Sequence, residues 1–143
     1  MNRTITLLVG ALMFLSSGCI VLDHQHPGCV GADCNLQPGE IRFYWGFELE
    51  DGSSTDWCNA ADVARVDLTI YDAWGNVEFE AADRPCGDMG ATIDNFFPDD
   101  YDLQLVGICP SGAVTHEGYW TLDVDPGLND YGTLVLDYLG PCE

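Results

Sequence analysis

Residues 58–86 read CNAADVARVDLTIYDAWGNVEFEAADRPC, and this stretch decides the fold class. On its first arm Val66, Leu68 and Ile70 alternate with Asp67, Thr69 and Tyr71. That period of two places apolar side chains on one face of a strand. Asp72-Ala73-Trp74-Gly75-Asn76 supplies residues that accept tight or left-handed backbone conformations, as a chain reversal demands. The second arm alternates again, with Val77 and Phe79 expected on one side and Glu78 and Glu80 on the other. A reversal centred near Trp74 brings Cys58 and Cys86 close to opposite each other. The stretch therefore reads as a β-hairpin closed at its open end by a disulfide. In the loop-entropy model a bridge across such a loop contributes about 3–4 kcal/mol.

Outward from the hairpin the same alternation recurs. IRFYWGFEL (41–49) is the expected first strand, with Ile41, Phe43, Trp45, Phe47 and Leu49 facing inward. After the hairpin come a short strand around Ala91 to Ile93 and a run in which Tyr101, Leu103 and Leu105 alternate with Asp102 and Gln104. Val114 to Val124 and YGTLVLDYL (131–139) follow, the last with Leu134, Leu136 and Tyr138 on one face. EDGSSTDW, PSGAV and DPGLND separate the strands as loops and turns, and Trp45 and Trp120 fall at inward positions. About seven short strands with turn signals every eight to twelve residues form the pattern of a sandwich. No segment sustains a helical period. The expectation is an all-β, antiparallel, disulfide-stabilised β-sandwich of about seven strands over residues 41–143.

Charge narrows the partners. The chain carries 24 acids against 4 arginines and no lysine. Nucleic acid and anionic lipid surfaces repel such a protein, so neither is an expected partner. The acids are spread along the chain rather than gathered in one block, which suits a large hydrating charge, as in a saline habitat, better than one receptor patch.

The N-terminus reads as an export signal: Arg3 precedes the apolar run Ile5 to Leu15, which is too short to span a bilayer as a mature helix. Ser16-Ser17-Gly18-Cys19 follows, small residues ending in cysteine. This resembles a bacterial lipoprotein signal, although Leu15 stands one place further back than the leucine of that motif usually does. The resemblance implies a signal peptide over 1–18, lipidation of Cys19 and anchoring to a membrane, and Ile20 after the cysteine implies outer-membrane delivery. It also makes the cysteine count even, because seven cysteines less Cys19 leave six, as three bridges in an oxidising compartment require. Beyond Cys58–Cys86, the expected pairs are Cys29–Cys34, which share a short loop, and Cys109–Cys142, which both follow strands. Residues 19–40, rich in Gly and Pro and without periodicity, read as a tether.

A second resemblance covers roughly residues 60–139. A hairpin with a glycine turn is followed by Phe97-Pro98-Asp99-Asp100-Tyr101-Asp102-Leu103. This is similar to the hydrophobic-Pro-Gly-x-Tyr-x-Leu step of prealbumin-like and carboxypeptidase regulatory-like sandwiches, with Asp99 where that family usually has glycine. The resemblance implies an accessory or binding module and brings no catalytic residues.

Few residues suggest catalysis. There is no GxSxG elbow, and His116 is the one histidine in the folded region, expected as a partly exposed sheet residue. His24 and His26 sit in the tether without the further ligands that a tetrahedral metal site needs. Calcium is the stronger metal candidate: Asp99, Asp100 and Asp102 lie at one turn, and Asp123, Asp125 and Asp130 flank another. Hard oxygen donors in loops suit that ion, but aspartate also serves β-turns by bonding its own backbone, and no metal is expected. Trp57, in a loop, and Trp74, at the hairpin tip, are the candidate binding residues, since exposed rings stack on sugars or anchor proteins. The expected function is a non-enzymatic, lipid-anchored envelope module that is structural or binds an envelope protein. The alternative is a surface lipoprotein that binds a glycan or calcium.

Overall fold

Eight strands carry the fold in a computed structural model that describes residues 37–143; Cys19, Cys29, Cys34, His24 and His26 lie outside the described residues. In chain order they are β1 (Gly39–Glu48), β2 (Ser54–Thr55), β3 (Arg65–Tyr71), β4 (Val77–Pro85), β5 (Gly90–Phe96), β6 (Asp99–Ile108), β7 (Val114–Val124) and β8 (Gly127–Tyr138). The single α-helical turn, α1 (Cys58–Ala61), and a 3-10 turn over Cys86–Asp88 are the only helical pieces among the described residues. The protein is all-β, with one strand more than the sequence suggested.

Hydrogen bonding runs β2-β1-β8-β7-β6-β3-β4, with β5 on β1. The path divides at the β7–β8 step, where two residue pairs are made, His116 with Tyr138 and Glu117 with Asp137. One layer therefore holds β5, β2, β1 and β8, and the other holds β7, β6, β3 and β4. Their apolar faces share one core: Ile41, Phe43, Trp45, Phe47 and Leu136 come from the first layer, and Val66, Leu68, Ile70, Leu103 and Leu105 from the second. The arrangement is sandwich-like. Its pairing is not wholly antiparallel, because β1 runs parallel to β8 from Gly39↔Gly127 to Phe47↔Leu136. On its other edge β1 pairs antiparallel with β5 and then with β2.

The central hairpin forms as read, with one correction. Asp72 N–H bonds the Asn76 carbonyl at 2.8 Å, and Asp72 Oδ1 accepts from the Trp74 and Asn76 amides at 2.9 and 2.7 Å. Gly75, at φ +82°, takes the left-handed position of the turn. Tyr71 pairs with Val77, but Ile70 pairs with Phe79, so Glu78 is an extra residue in β4. That bulge puts Val77 and Phe79 on opposite faces. Val77 is 54% exposed, whereas Phe79 packs on the core.

Cys58 and Cys86 are bridged, with Cα atoms 5.9 Å apart. The strand register alone would not join them: Ala64, not Cys58, lies beside Cys86 and accepts its N–H at 3.1 Å. The α1 turn doubles the chain back and delivers Cys58 to the bridge. Trp45 then donates its indole N–H to the Cys86 carbonyl at 3.0 Å, joining the two layers beneath the disulfide. Cys109 and Cys142 are bridged as expected and hold the C-terminal segment to the end of β6.

Candidate functional site

Trp57 and Trp74 are 72% and 67% exposed, but they occupy opposite ends of the central hairpin: Trp57 precedes the disulfide and Trp74 caps the turn. They form no joint site. Trp120 is only partly buried; its ring lies back over Gly118, where an added Cβ would stand 2.2 Å from Trp120 Cη2.

The aspartates of the calcium reading fall along β6, β7, the turn after β7 and β8 rather than around one point. Asp99 Oδ1 accepts the Asp100 N–H, Asp130 Oδ1 accepts the Gly132 N–H, and Asp102 Oδ1 accepts the Thr121 hydroxyl. The Asp125 amide bonds Asn129 Oδ1, and Asp100 faces Asp123 across β6 and β7. These are turn and strand roles. Among the described residues no group of three or more His, Cys, Asp or Glu is placed to hold a metal ion.

His116 is fully buried, contrary to the partly exposed position read from the sequence. The register shifts between Gly107 and Ile108, whose partners are His116 and Val114, leaving Thr115 as a bulge residue. Thr115 and His116 are consequently both buried. His116 Nε2 lies 2.9 Å from the Glu48 carbonyl, which accepts only an N–H, so Nε2 carries the proton and Nδ1 accepts the Thr115 hydroxyl at 3.0 Å. Phe47 and Tyr138 meet the ring edge-on. Burial holds the imidazole below its ordinary pKa. With both ring nitrogens engaged, His116 ties β7 to the end of β1. A cleft of about 480 Å3 opens beside it, rimmed by Glu50, Asp51, Asp62 and Pro141.

The most organised cluster of surface side chains, part exposed and part half-buried, lies elsewhere, on the outer face of the β4-β3-β6-β7 layer. Tyr71, Asp102 and Thr121 form one row across β3, β6 and β7, and Thr69, Gln104 and Tyr119 form the next. Tyr71 donates its hydroxyl to Gln104 Oε1 at 3.0 Å. The Gln104 amide donates to Tyr119 Oη at 2.7 Å and to Glu117 Oε1 at 2.9 Å. Tyr119 in turn donates to Glu117 Oε1 at 2.6 Å, and that bond to a carboxylate raises the phenol pKa. One amide thus fixes both tyrosines. Beside them a groove of about 400 Å3 is lined by Tyr71, Tyr119, Trp120, Asp102, Thr121 and the hairpin-tip Gly75.

Sequence reading missed this network because Tyr71, Gln104 and Tyr119 are distant in the chain. The signal was present as the outward half of each alternation, but their convergence depends on the β3–β6–β7 register. No protein-family model matches the chain, and no curated protein sequence is significantly similar to it. The fold and its outer face define a class: a disulfide-stabilised all-β domain with an ordered polar face.

Proposed function

We propose that this chain is a non-enzymatic, lipid-anchored protein of the cell envelope whose β-domain serves as a protein-interaction module. The observation that carries the reading is the Tyr71–Gln104–Tyr119–Glu117 network, in which exposed Tyr119 and three half-buried side chains are pre-positioned on a four-strand face. Ordering them beforehand lowers the entropy cost of meeting a partner. His116 supports the non-enzymatic part, since neither ring nitrogen is available to move a substrate proton. The lipoprotein-like Ser17-Gly18-Cys19 supports an anchor, and Ile20 supports outer-membrane delivery. The resemblance to accessory sandwiches agrees with a binding role.

Two measurements test it. Wild-type protein should sediment with membranes and carry a diacylglyceryl-modified Cys19 by intact mass, and Cys19→Ser should leave the membrane fraction. A photo-reactive residue at position 119 should crosslink to an envelope protein in intact membranes, while one at exposed Asp94 on β5 should not. Soluble wild-type protein with an unmodified N-terminus, or equal crosslinking from both positions, would end the reading.

A further inference from the structure

We infer that the groove between Tyr71 and Tyr119 receives an arginine side chain presented by a basic segment of a partner protein. The inference rests on the interaction-module reading for its premise that this face meets a partner. The chemistry of the groove selects the occupant.

Most side-chain donors in and beside the groove are already committed within the protein, the Trp120 indole N–H in its lining and the Thr69 hydroxyl in the next row being the exceptions. The Tyr71 hydroxyl goes to Gln104, the two Gln104 amide hydrogens to Glu117 and Tyr119, the Tyr119 hydroxyl to Glu117, and the Thr121 hydroxyl to Asp102. Acceptors and π-faces remain. Asp102 Oδ2 and Glu117 Oε2 accept nothing among the described residues, and Tyr119 presents a ring that is 64% exposed. A sugar hydroxyl both donates and accepts, and the lining offers its accepting side little beyond the Trp120 indole N–H. A guanidinium only donates, is planar, and stacks on aromatic faces while bonding carboxylates through its fork. It fits what the groove offers on both counts.

The surrounding charge points the same way. Asp100 and Asp123 stand opposite each other one row beyond Asp102 and Thr121, and Glu80, opposite Thr69, lies on the same face. The described arginines do not neutralise this surface, because Arg42, Arg65 and Arg84 are each paired with an acid of their own: Glu40, Asp83 and Asp88. A basic segment is thus drawn to this face by charge and held by one side chain in the groove.

The test uses the full chain, purified in non-ionic detergent, and the fluorescein-labelled peptides Gly-Arg-Gly-Arg-Gly and Gly-Lys-Gly-Lys-Gly, followed by anisotropy at physiological ionic strength. The arginine peptide should bind more tightly than the lysine peptide. Tyr119→Leu, which leaves the charge unchanged and alters an exposed position, should weaken arginine binding about tenfold. Asp94→Asn, which removes a charge outside the groove, should change it by less than about twofold. Melting curves of both variants should match wild type. Equal affinity for the two peptides, no binding of either, or unchanged binding by Tyr119→Leu would each overturn the assignment. So would a neutral oligosaccharide whose binding is lost in Tyr119→Leu, which would make the occupant a sugar. Crosslinking that persists at position 119 while the peptides fail would remove the arginine and leave the interaction module standing.

Discussion

β1 and β4 look alike in sequence and differ in what the fold makes of them. Ile41, Phe43, Trp45 and Phe47 alternate along β1, and Val77 and Phe79 alternate along β4. β1 has neighbours on both edges, β8 on one and β5 and β2 on the other, and its four apolar side chains are essentially inaccessible. β4 ends the second layer, pairs with β3 alone, and bulges at Glu78 and again near Asp83, which turns to φ +59°. Exposed residues outnumber covered ones along it. Alternation announces a strand, but its neighbours decide whether the apolar residues are buried. β4 has the features of a guarded edge: bulges, exposed acids and a terminal proline, which discourage further pairing.

The largest test of this contrast is Trp45→Ala against Val77→Thr. Trp45 fills the core and satisfies its N–H on Cys86, so its truncation should cost about 3–5 kcal/mol in denaturant unfolding. Val77→Thr, on the exposed edge, should stay within about 0.5 kcal/mol. Comparable losses would mean that the edge matters as much as the centre.

A smaller loss sharpens the role of the staple. Removing the Cys58–Cys86 bridge by the double substitution to alanine should cost about 2–4 kcal/mol, read from the same unfolding curves. Amide exchange should accelerate first in β4, whose sole partner strand is β3. Uniform acceleration across β1 and β4 would show that the bridge supports the whole core rather than this edge.

The smallest effect concerns the far end of β1. His116 is neutral in the folded protein, with a pKa below that of the unfolded chain, so the unfolded state binds more protons as acidity increases. Its contribution is complete above the unfolded value near 6.5 and is lost as pH falls below it. The difference in melting midpoint between wild type and His116→Asn should therefore shrink from pH 8 towards pH 5. Taking the difference removes the shared effect of protonating the surface acids. A gap that stays constant over that range would show that the imidazole does not titrate on unfolding as burial demands.

Sequence made local geometry legible and left distant pairing hidden. The turn at Asp72–Asn76 and the buried face of β1 follow from residue types and a period of two. The Glu78 bulge does not, so Val77 was assigned to the wrong face. The Cys58–Cys86 pair was correctly joined, though through a helical turn instead of strand register. His116 was misplaced because the bulge at Thr115 interrupts the alternation that the reading relied on. The parallel contact of β1 with β8 joins segments separated by most of the domain, and no local pattern encodes it. The Tyr71–Gln104–Tyr119 network has the same origin: each residue was readable as outward-facing, while their meeting required three strands in register.

The parallel β1–β8 ladder also sets how the domain bears load. β1 opens the folded domain at Gly39, so tension arriving along the preceding chain enters through this strand. Drawn along its own axis, β1 must slide past β8 and β5 together, loading the bonds of both ladders side by side rather than opening them one after another. β4, lifted from its free edge, would part from β3 one pair at a time. Tension entering along the chain before Gly39 thus meets β1 in shear, where the bonds of two ladders share the load, rather than in peeling.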